Sequence, residues 1–393
     1  MNLVTNLKSI QWGFVFQIFS ILSLTIIYIF QWNTMIKNPS LRTGTDFMSY
    51  YSVARISQEY GISKVYDLNL QKEFQEEAVN FPLAEGQVLL YLHVPYIIPL
   101  LNLFVSKNYI VSFILWATLM LSIYSLASIF LLKNISKNTY GLYFLGLVLF
   151  FPFFQSLLLG QDTAILFLGV VFWFVGATKN KEWLSAIGVA LTSVRPHFCL
   201  LFLASLFFYH PKSIWKYIFT TNILILLSFL LVGWNGIRQF IEILRISANG
   251  TWYGMNEDAM INLIGLLSRI LPFISDETIR IIGWVGYLIA IIVSIVFWAK
   301  RNQPYEGLIS ISIILALFFA PHLHYHDLTL LVIPLLFVEL RYPLLKNLLL
   351  GTSFILLILK SLFYILPYAM YAILFGYFLG IMKPVKQLPS RHT

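Results

Sequence analysis

Long hydrophobic runs are the feature that most limits what this chain can fold into. The first covers roughly residues 11–32, and the others lie near 91–105, 109–132, 140–159, 163–178, 184–209, 214–233, 280–299, 306–321, 327–340, 344–363 and 367–382. About 20 apolar residues cross a bilayer core as a helix, and backbone groups in lipid must satisfy their own hydrogen bonds. We therefore expect an all-α polytopic membrane protein, a single integral membrane domain over 1–393, with about ten to twelve membrane helices, some re-entrant or interfacial.

Composition agrees with this class and excludes others. The chain is 59% hydrophobic and only 11% charged, whereas soluble domains carry about 25% charged residues. Its formal net charge of +9 is scattered between the hydrophobic runs, which suits membrane orientation and argues against a nucleic-acid partner. The single cysteine, Cys199, excludes an intrachain disulfide. No small-residue cleavage site follows the first run, so we interpret it as a retained span.

Basic residues between the runs predict the orientation. The basic set comprises Lys8, Lys133, Lys137, Lys179, Lys181, Lys212, Lys216, Lys300, Arg301, Arg341 and the tail "KPVKQLPSRHT". Because cytoplasmic loops are rich in Lys and Arg, we place both termini in the cytoplasm of a multi-pass protein, in a bacterial plasma membrane. The polar stretches 33–90 and 234–279 then become loops on the outer face.

Two runs do not fit simple alternating crossings. Residues 184–209 have basic flanks on both sides and contain Arg195-Pro196, and proline bends or breaks a helix. We expect a re-entrant hairpin with its apex there; a single kinked crossing is the competing assignment. The run 91–105 is short and holds two prolines, which favours a helix lying in the interface.

Asp46 begins the aromatic stretch "DFMSYY" just after the first run. It is either a solvated loop acid, an N-cap for a following helix, or a general base held at the membrane face. Phe47, Tyr50 and Tyr51 form either an aromatic substrate wall or an interfacial belt.

Arg195 and His197 lie in the middle of an apolar run. A charge at membrane depth is costly and usually serves a site, and a guanidinium fork suits phosphate oxygens. A snorkelling or ion-paired arginine is the alternative.

The stretch "APHLHYHDL" contains His322, His324, His326 and Asp327. Its histidines bind a metal, donate to a phosphate or sugar hydroxyl, or are ordinary loop residues. We prefer donation, because no known zinc motif is present, and Asp327 is placed to orient one of the rings.

Gln161 and Asp162 follow Gly160 at a turn between two runs. With the orientation above, this turn, Asp46, Arg195 and the histidines all gather on the outer side. No phosphate loop or serine nucleophile motif occurs, so neither a nucleotide nor any other cofactor is expected.

Five stretches taken together resemble glycosyltransferase family 87, the polyprenyl-phosphate-mannose-dependent membrane glycosyltransferases. They are "GTDFMSYYSVAR" followed by Gly61 and Tyr66-Asp67, then "YLHVPYIIPLL", "LLLGQDTAILFL", "LSAIGVALTSVRPHFCLLFL" and "APHLHYHDLTLLVIPL". The resemblance covers most of 44–340 in the same order. The family usually shows a small residue and asparagine where Asp162-Thr163 stand, and lysine-proline where Arg195-Pro196 stand.

The resemblance implies a GT-C type fold with Asp46 as the catalytic base. It also implies an outer-face cavity lined by Gln161, Arg195 and the His322–His326 region. We take Tyr50, Tyr51, Asp162 and His197 as further substrate-binding candidates, and we expect no metal. A sugar, mannose in most of the family, would pass with inversion from a polyprenyl-phosphate donor to a lipid or glycan acceptor among membrane lipids. The alternatives are a ligase or polymerase of lipid-linked glycans, and a transporter or flippase, although no internal repeat of the transporter kind is found.

Overall fold

The computed structural model describes residues 2–38, 45–135, 140–248, 259–300, 303–342, 345, 347–359, 362 and 364–382. Every regular element within these ranges is helical, so the expected all-α polytopic membrane class is confirmed. The α-helices are α1 (Asn2–Lys37), α2 (Phe47–Tyr60), α3 (Leu68–Val79), α4 (Ile98–Phe104), α5 (Tyr109–Ile135), α6 (Tyr140–Val148), α7 (Phe151–Leu159), α8 (Thr163–Thr178), α9 (Glu182–Leu191), α10 (Pro196–Phe208), α11 (Pro211–Ala248), α12 (Leu263–Ile270), α13 (Asp276–Ala299), α14 (Tyr305–Phe319), α15 (Val332–Arg341), α16 (Leu348–Ile358) and α17 (Leu366–Ile381). Short 3₁₀ helices cover Ile62–Lys64, Glu85–Gln87, Pro95–Ile97, Thr192–Val194 and Tyr325–Leu331.

The helices fall into two groups by length: those long enough to cross a membrane and shorter apolar ones. Within the described residues, α1, α5, α11 and α13 are long and apolar enough to cross a bilayer, and α6 with α7, bent by 47°, is a fifth candidate. Seven further apolar helices have only 10–17 residues, less than the approximately 20 that a crossing needs. The expected count of ten to twelve membrane helices included these shorter elements.

Helix α5 shows that the bundle has two distinct ends. At its start the Tyr109 hydroxyl lies 2.9 Å from the Thr45 hydroxyl, beside Asp46. Its 27 residues correspond to about 40 Å of helix, and Asn134 near its other end lines a second cavity with Lys179 and Arg341. We call the end with Asp46 the site end and the end with Lys179 the basic end.

Some residues of the basic set cannot be assigned to either end. Lys137, Arg301, the tail after Met382 and the side chain of Lys8 lie outside the described residues.

Helices α9 and α10 form the hairpin expected at Arg195-Pro196. Glu182 at the start of α9 makes an ion pair with Lys216, which follows the end of α10. Across the hairpin, the Cys199 thiol donates to the carbonyl oxygen of Val189 at 3.3 Å. The start of α9 and the end of α10 therefore both lie at the basic end, a geometry that a single kinked crossing does not have. The apex at Arg195 lies at the site end.

Close packing of α8 against α9 supports this apex. A Cβ added at Gly188 would overlap the backbone nitrogen of Trp173 and lie 2.7 Å from the carbonyl oxygen of Gly169. Small residues at such interfaces let two membrane helices approach closely. The α8–α9 pair therefore holds the turn before Thr163 next to the turn at Arg195.

The two predicted outer loops are largely helical. Stretch 33–90 contains α2 and α3, and eleven consecutive residues at the start of α2 are buried; stretch 234–279 contains the end of α11 and all of α12. Residues 39–44 and 249–258 lie outside the described part. The rings of Tyr66 and Phe240, 5.0 Å apart, join the two stretches at the site end.

Gly233 changes the direction of the chain at the start of stretch 234–279. It interrupts α11 with φ 66° and ψ −177°, a conformation that glycine adopts readily. The residues after the break bring Phe240 and Leu244 to the wall of the site-end cavity. The run 91–105 contains only the seven-residue α4 and a 3₁₀ turn, too short to cross.

Candidate functional site

A cavity of about 780 Å³ lies at the site end. Seven of the ten predicted site residues line it, namely Asp46, Gln161, Arg195, His197, His322, His324 and His326. The other three, Tyr50, Tyr51 and Asp162, lie behind its surface. The structure thus brings together side chains from four distant parts of the chain.

Asp46 stands immediately before α2, at the N-cap position, but its side chain makes no capping hydrogen bond. Its Oδ2 instead accepts a hydrogen bond from Nε2 of Gln161. The capping interpretation of this acid therefore does not describe the structure, and the carboxylate faces the cavity.

Arg195 lies at the hairpin apex between the Thr192–Val194 turn and α10. Its Nη2 is 2.7 Å from Oε1 of Gln161 and 3.1 Å from Oδ1 of Asp162, and its Nε is 3.7 Å from Oδ1 of Asp327. The side chain is 14% exposed. Arg195 is therefore ion-paired and hydrogen-bonded, with an edge that still reaches the cavity.

Asp162 is fully buried beneath Arg195. Burial alone would raise the pKa of this carboxyl group, but Arg195 and then His93 hold it below its ordinary value. Burial would likewise lower the pKa of Arg195, yet Asp162 and Asp327 raise it. Both groups are consequently charged, and they form a buried ion pair below the cavity floor.

His93 belongs to the site but is not among the residues predicted from the sequence. Its Nδ1 is 3.2 Å from Oδ2 of Asp162 and 3.3 Å from Nη1 of Arg195, and its Nε2 is 2.8 Å from the Tyr50 hydroxyl. The side chain also lines the cavity. The sequence feature that could have identified His93 is a lone histidine in the apolar stretch "LYLHVPY".

Tyr50 and Tyr51 fit neither the aromatic substrate wall nor the interfacial belt considered for them. They are 0% and 4% exposed, so they are neither an interfacial belt nor a wall of the cavity. The Tyr51 hydroxyl donates to the carbonyl oxygen of Lys107 at 2.8 Å and lies 3.2 Å from Nη1 of Arg55. Tyr50 supports His93 from behind, and Tyr51 ties α2 to the start of α5.

The histidine segment is neither a strand nor an α-helix. His322 and His324 precede the 3₁₀ helix that begins at Tyr325, and their rings are 4.6 Å apart and nearly perpendicular. Oδ2 of Asp327 lies 3.5 Å from Nε2 of His326 and accepts the backbone N–H of His324 at 3.3 Å. Asp327 thus holds both the loop and one imidazole.

Burial favours the neutral form of His322 and His326. It lowers the pKa of His322, which the neighbouring His324 lowers further. It also lowers the pKa of His326, against the opposing effect of Asp327. Neutral imidazoles each offer one donor and one acceptor, which suits hydrogen bonding to phosphate or sugar oxygens. His197 at the start of α10 adds a ring whose Nε2 has no hydrogen-bond partner.

The arrangement combines an acceptor-only carboxylate, a partly open guanidinium and several imidazoles around one cavity. Within the described ranges, no three His, Cys, Asp or Glu side chains are grouped so that they could hold a metal ion. The cavity can therefore take a proton at Asp46 and bind an anion at Arg195 with this chain's own residues.

Comparison with known proteins identifies the family. No curated protein matches the chain. The family model for glycosyltransferase family 87 matches residues 92–321 of 393, a range that includes His93, Gln161 and Arg195 but not Asp46 or the His322–His326 segment. Because the match covers more than half of the chain, this membrane protein belongs to glycosyltransferase family 87 and is a glycosyltransferase.

Proposed function

We propose that the protein transfers a hexose from a polyprenyl-phosphate donor to a hydroxyl of a lipid or glycan acceptor at the outer membrane face. The observation that carries this proposal is the joining of Asp46, Gln161 and Arg195 by hydrogen bonds at one cavity. The Asp46 carboxylate at one end of this unit is suited to act as a base, and the Arg195 guanidinium at the other is suited to bind a phosphate.

Asp46 acts as the general base in this mechanism. An ionised carboxylate only accepts hydrogen bonds, so it takes the proton of the acceptor hydroxyl as that oxygen attacks the anomeric carbon. A bond forms between the acceptor oxygen and the anomeric carbon while the bond from that carbon to the phosphate oxygen breaks. The electron pair leaves with polyprenyl phosphate, and the configuration inverts.

Arg195 receives the negative charge that develops on the leaving phosphate. Guanidinium groups bind phosphate oxygens strongly, and preorganised donors in a site shielded from water contribute much of the catalysis in such reactions. His322, His324 and His326 supply further donors from the same cavity wall. A phosphate that a lipid already carries requires no nucleotide, in agreement with the sequence.

The cavity also has an apolar wall suited to a lipid. Leu200, Phe240, Leu244, Met260, Ile264 and Trp284 line it, and Phe240 and Leu244 come from the part of α11 beyond Gly233. We assign this wall to the first isoprenoid units of the donor. The basic end faces the cytoplasm in this orientation, following the charge rule for membrane loops, and mannose is the sugar that the family implies.

Purified protein given a radiolabelled polyprenyl-phosphate hexose and a glycolipid acceptor tests the proposal. The native protein should form a covalent glycosyl product, and Asp46→Asn should lower kcat by about 10²- to 10⁴-fold, the usual contribution of a general base. Native-like thermal unfolding of the variant would show that it is folded.

Asp67→Asn is the matched control. Asp67 is an acid of the same outer segment whose side chain caps α3 by accepting from the backbone N–H of Asn69 at 3.0 Å, and asparagine caps equally well. It should keep full activity. An Asp46→Asn protein with the native rate would contradict the base assignment, and movement of the donor across vesicles without a covalent product would instead indicate a flippase.

A further inference from the structure

The Gln161 side chain bridges the two ends of the site. Its Nε2 donates to Oδ2 of Asp46, and its Oε1 accepts from Nη2 of Arg195 at 2.7 Å. The residue is 6% exposed. Both polar atoms of the amide are therefore engaged inside the protein.

Chemistry allows only one orientation of this amide. An ionised Asp46 can only accept a hydrogen bond and Arg195 can only donate one, so the NH₂ group must face Asp46 and the oxygen must face Arg195. Ionised glutamate at this position could not donate to Asp46, and methionine could serve neither partner. Asparagine keeps the amide but is shorter by one methylene, about 1.5 Å.

The turn before Gln161 places this amide beside Asp46. Gly160 has φ +77°, and a Cβ there would lie 2.5 Å from Cβ of Phe47, the residue after Asp46. The indole N–H of Trp116 donates to the Gly160 carbonyl oxygen at 2.9 Å. Close contact between the Gly160 turn and the Phe47 side chain at the start of α2 therefore sets the register of Gln161 against Asp46.

Arg195 provides a rigid anchor for the other side of the amide. Its Nη2 donates to Oε1 of Gln161 at 2.7 Å and is ion-paired with Oδ1 of Asp162 at 3.1 Å. One hydrogen of Nη1 faces His93 at 3.3 Å. Of the five guanidinium N–H groups, Nε–H faces Asp327 at 3.7 Å, beyond hydrogen-bond distance, and one on Nη1 faces none of these partners, so Arg195 can bind an anion while it holds Gln161.

We propose that Gln161 is a positioning residue that orients the Asp46 carboxylate from the Arg195 anchor. In this role it acts through Asp46 and does not bind the substrate directly. The inference rests on the proposed function for its kinetic consequence, whereas the orientation of Asp46 is a property of the ligand-free protein.

Two measurements on Gln161→Met test the proposal. In the transfer assay kcat should fall by about 10²-fold, the cost of a misplaced reacting group, while the donor KM stays at its native value because Arg195 still binds phosphate. In the ligand-free protein, the infrared carboxylate stretch of Asp46, isolated by subtracting the spectrum of the same protein carrying Asp46→Asn, should move from its native position.

Gln17→Met is the matched control. Gln17 is 8% exposed and its Nε2 donates to Oδ1 of Asn347 at 2.6 Å at the basic end, so the change removes a comparable amide far from Asp46. It should leave both the kcat and the Asp46 band unchanged. Gln161→Asn, which keeps a polar side chain, gives the same test should the methionine variant not fold, with a smaller loss of kcat expected.

Native kcat together with an unmoved Asp46 band in a folded Gln161 variant would overturn the positioning role. Absence of sugar transfer by the native protein would instead overturn the proposed function. The Asp46 band would then still decide whether Gln161 orients the carboxylate.

Discussion

Replacing Arg195 by glutamine removes a guanidinium that contacts two buried carboxylates. Asp162 is fully buried with its Oδ1 3.1 Å from Nη2 of Arg195, and Asp327 lies 3.7 Å from Nε. Breaking a buried ion pair by removing one partner costs about 3–5 kcal/mol, because the remaining charge has lost its compensation. We expect Arg195→Gln to lower the free energy of unfolding by this amount, most of it through the closer Asp162.

A double-mutant cycle assigns the loss to the pair. Asp162→Asn in the Arg195→Gln background removes the uncompensated charge, so the double variant should be more stable than Arg195→Gln. The coupling energy of the cycle should be about 0.5–3 kcal/mol, the range for residues in contact. Arg195→Lys keeps the charge but loses the fork, and it should be less destabilising than glutamine. Unfolding in mixed micelles followed by tryptophan fluorescence measures these values.

The loss should also depend on pH. In the native protein the pKa of Asp162 lies below its ordinary value, so its contribution to stability is present above about pH 4 and falls only at lower pH. Without Arg195, burial becomes the largest influence and the pKa of Asp162 rises. A raised folded-state pKa stabilises the protonated folded state at low pH, and this contribution is lost as the pH rises.

The deficit of Arg195→Gln should therefore be larger at pH 8 than at pH 5. His93, 3.2 Å from Asp162, and Asp327 face the same region, and Asp162→Asn should remove most of the pH dependence. A deficit below about 1 kcal/mol, or one that is flat with pH and unaffected by Asp162→Asn, would refute the assignment of a buried charge pair.

Two further predictions concern the hairpin. Gly188→Ala should lower the free energy of unfolding by about 1–3 kcal/mol because the methyl group overlaps the backbone of α8; the control Gly351→Ala, with open space around it, should stabilise by about 0.5–1 kcal/mol, and equal effects would contradict the close packing. Lys181→Cys and Lys212→Cys, both exposed, should react with a membrane-impermeant maleimide only from the cytoplasmic side, whereas Gln87→Cys should react from outside. Labelling of the two lysine positions from opposite sides would contradict the hairpin.

Much of the fold follows from local sequence. The apolar runs predict helices because a lipid-embedded backbone has no other hydrogen-bond partners, and α5, α11 and α13 lie where the runs place them. Pro196 with basic residues on both flanks predicts the hairpin, since proline ends a helix and the charges keep both ends on one side. Short runs were harder to interpret, because length alone does not tell a crossing from a buried half-helix.

The candidate site was predictable only in part. Asp46, Arg195 and the histidines attract attention because polar groups are rare and costly in apolar surroundings. His93 carried the same indication, but more weakly, within a segment that looked like a surface helix. For Tyr50 and Tyr51, residue type could not separate packing from substrate contact, because an aromatic ring with a hydroxyl serves either purpose.

The sequence by itself determined that this chain is a helical membrane protein, with acids, a guanidinium and imidazoles at the ends of its helices. Patterns of hydropathy and charge extend over only one or two helical turns, so a short stretch of sequence is enough to recognise them. Only the tertiary structure decided that Gln161 joins Asp46 to Arg195 and that His93 reaches Asp162. Those contacts join residues up to 115 positions apart, and they depend on how the Gly160 turn, α2 and the hairpin apex pack together.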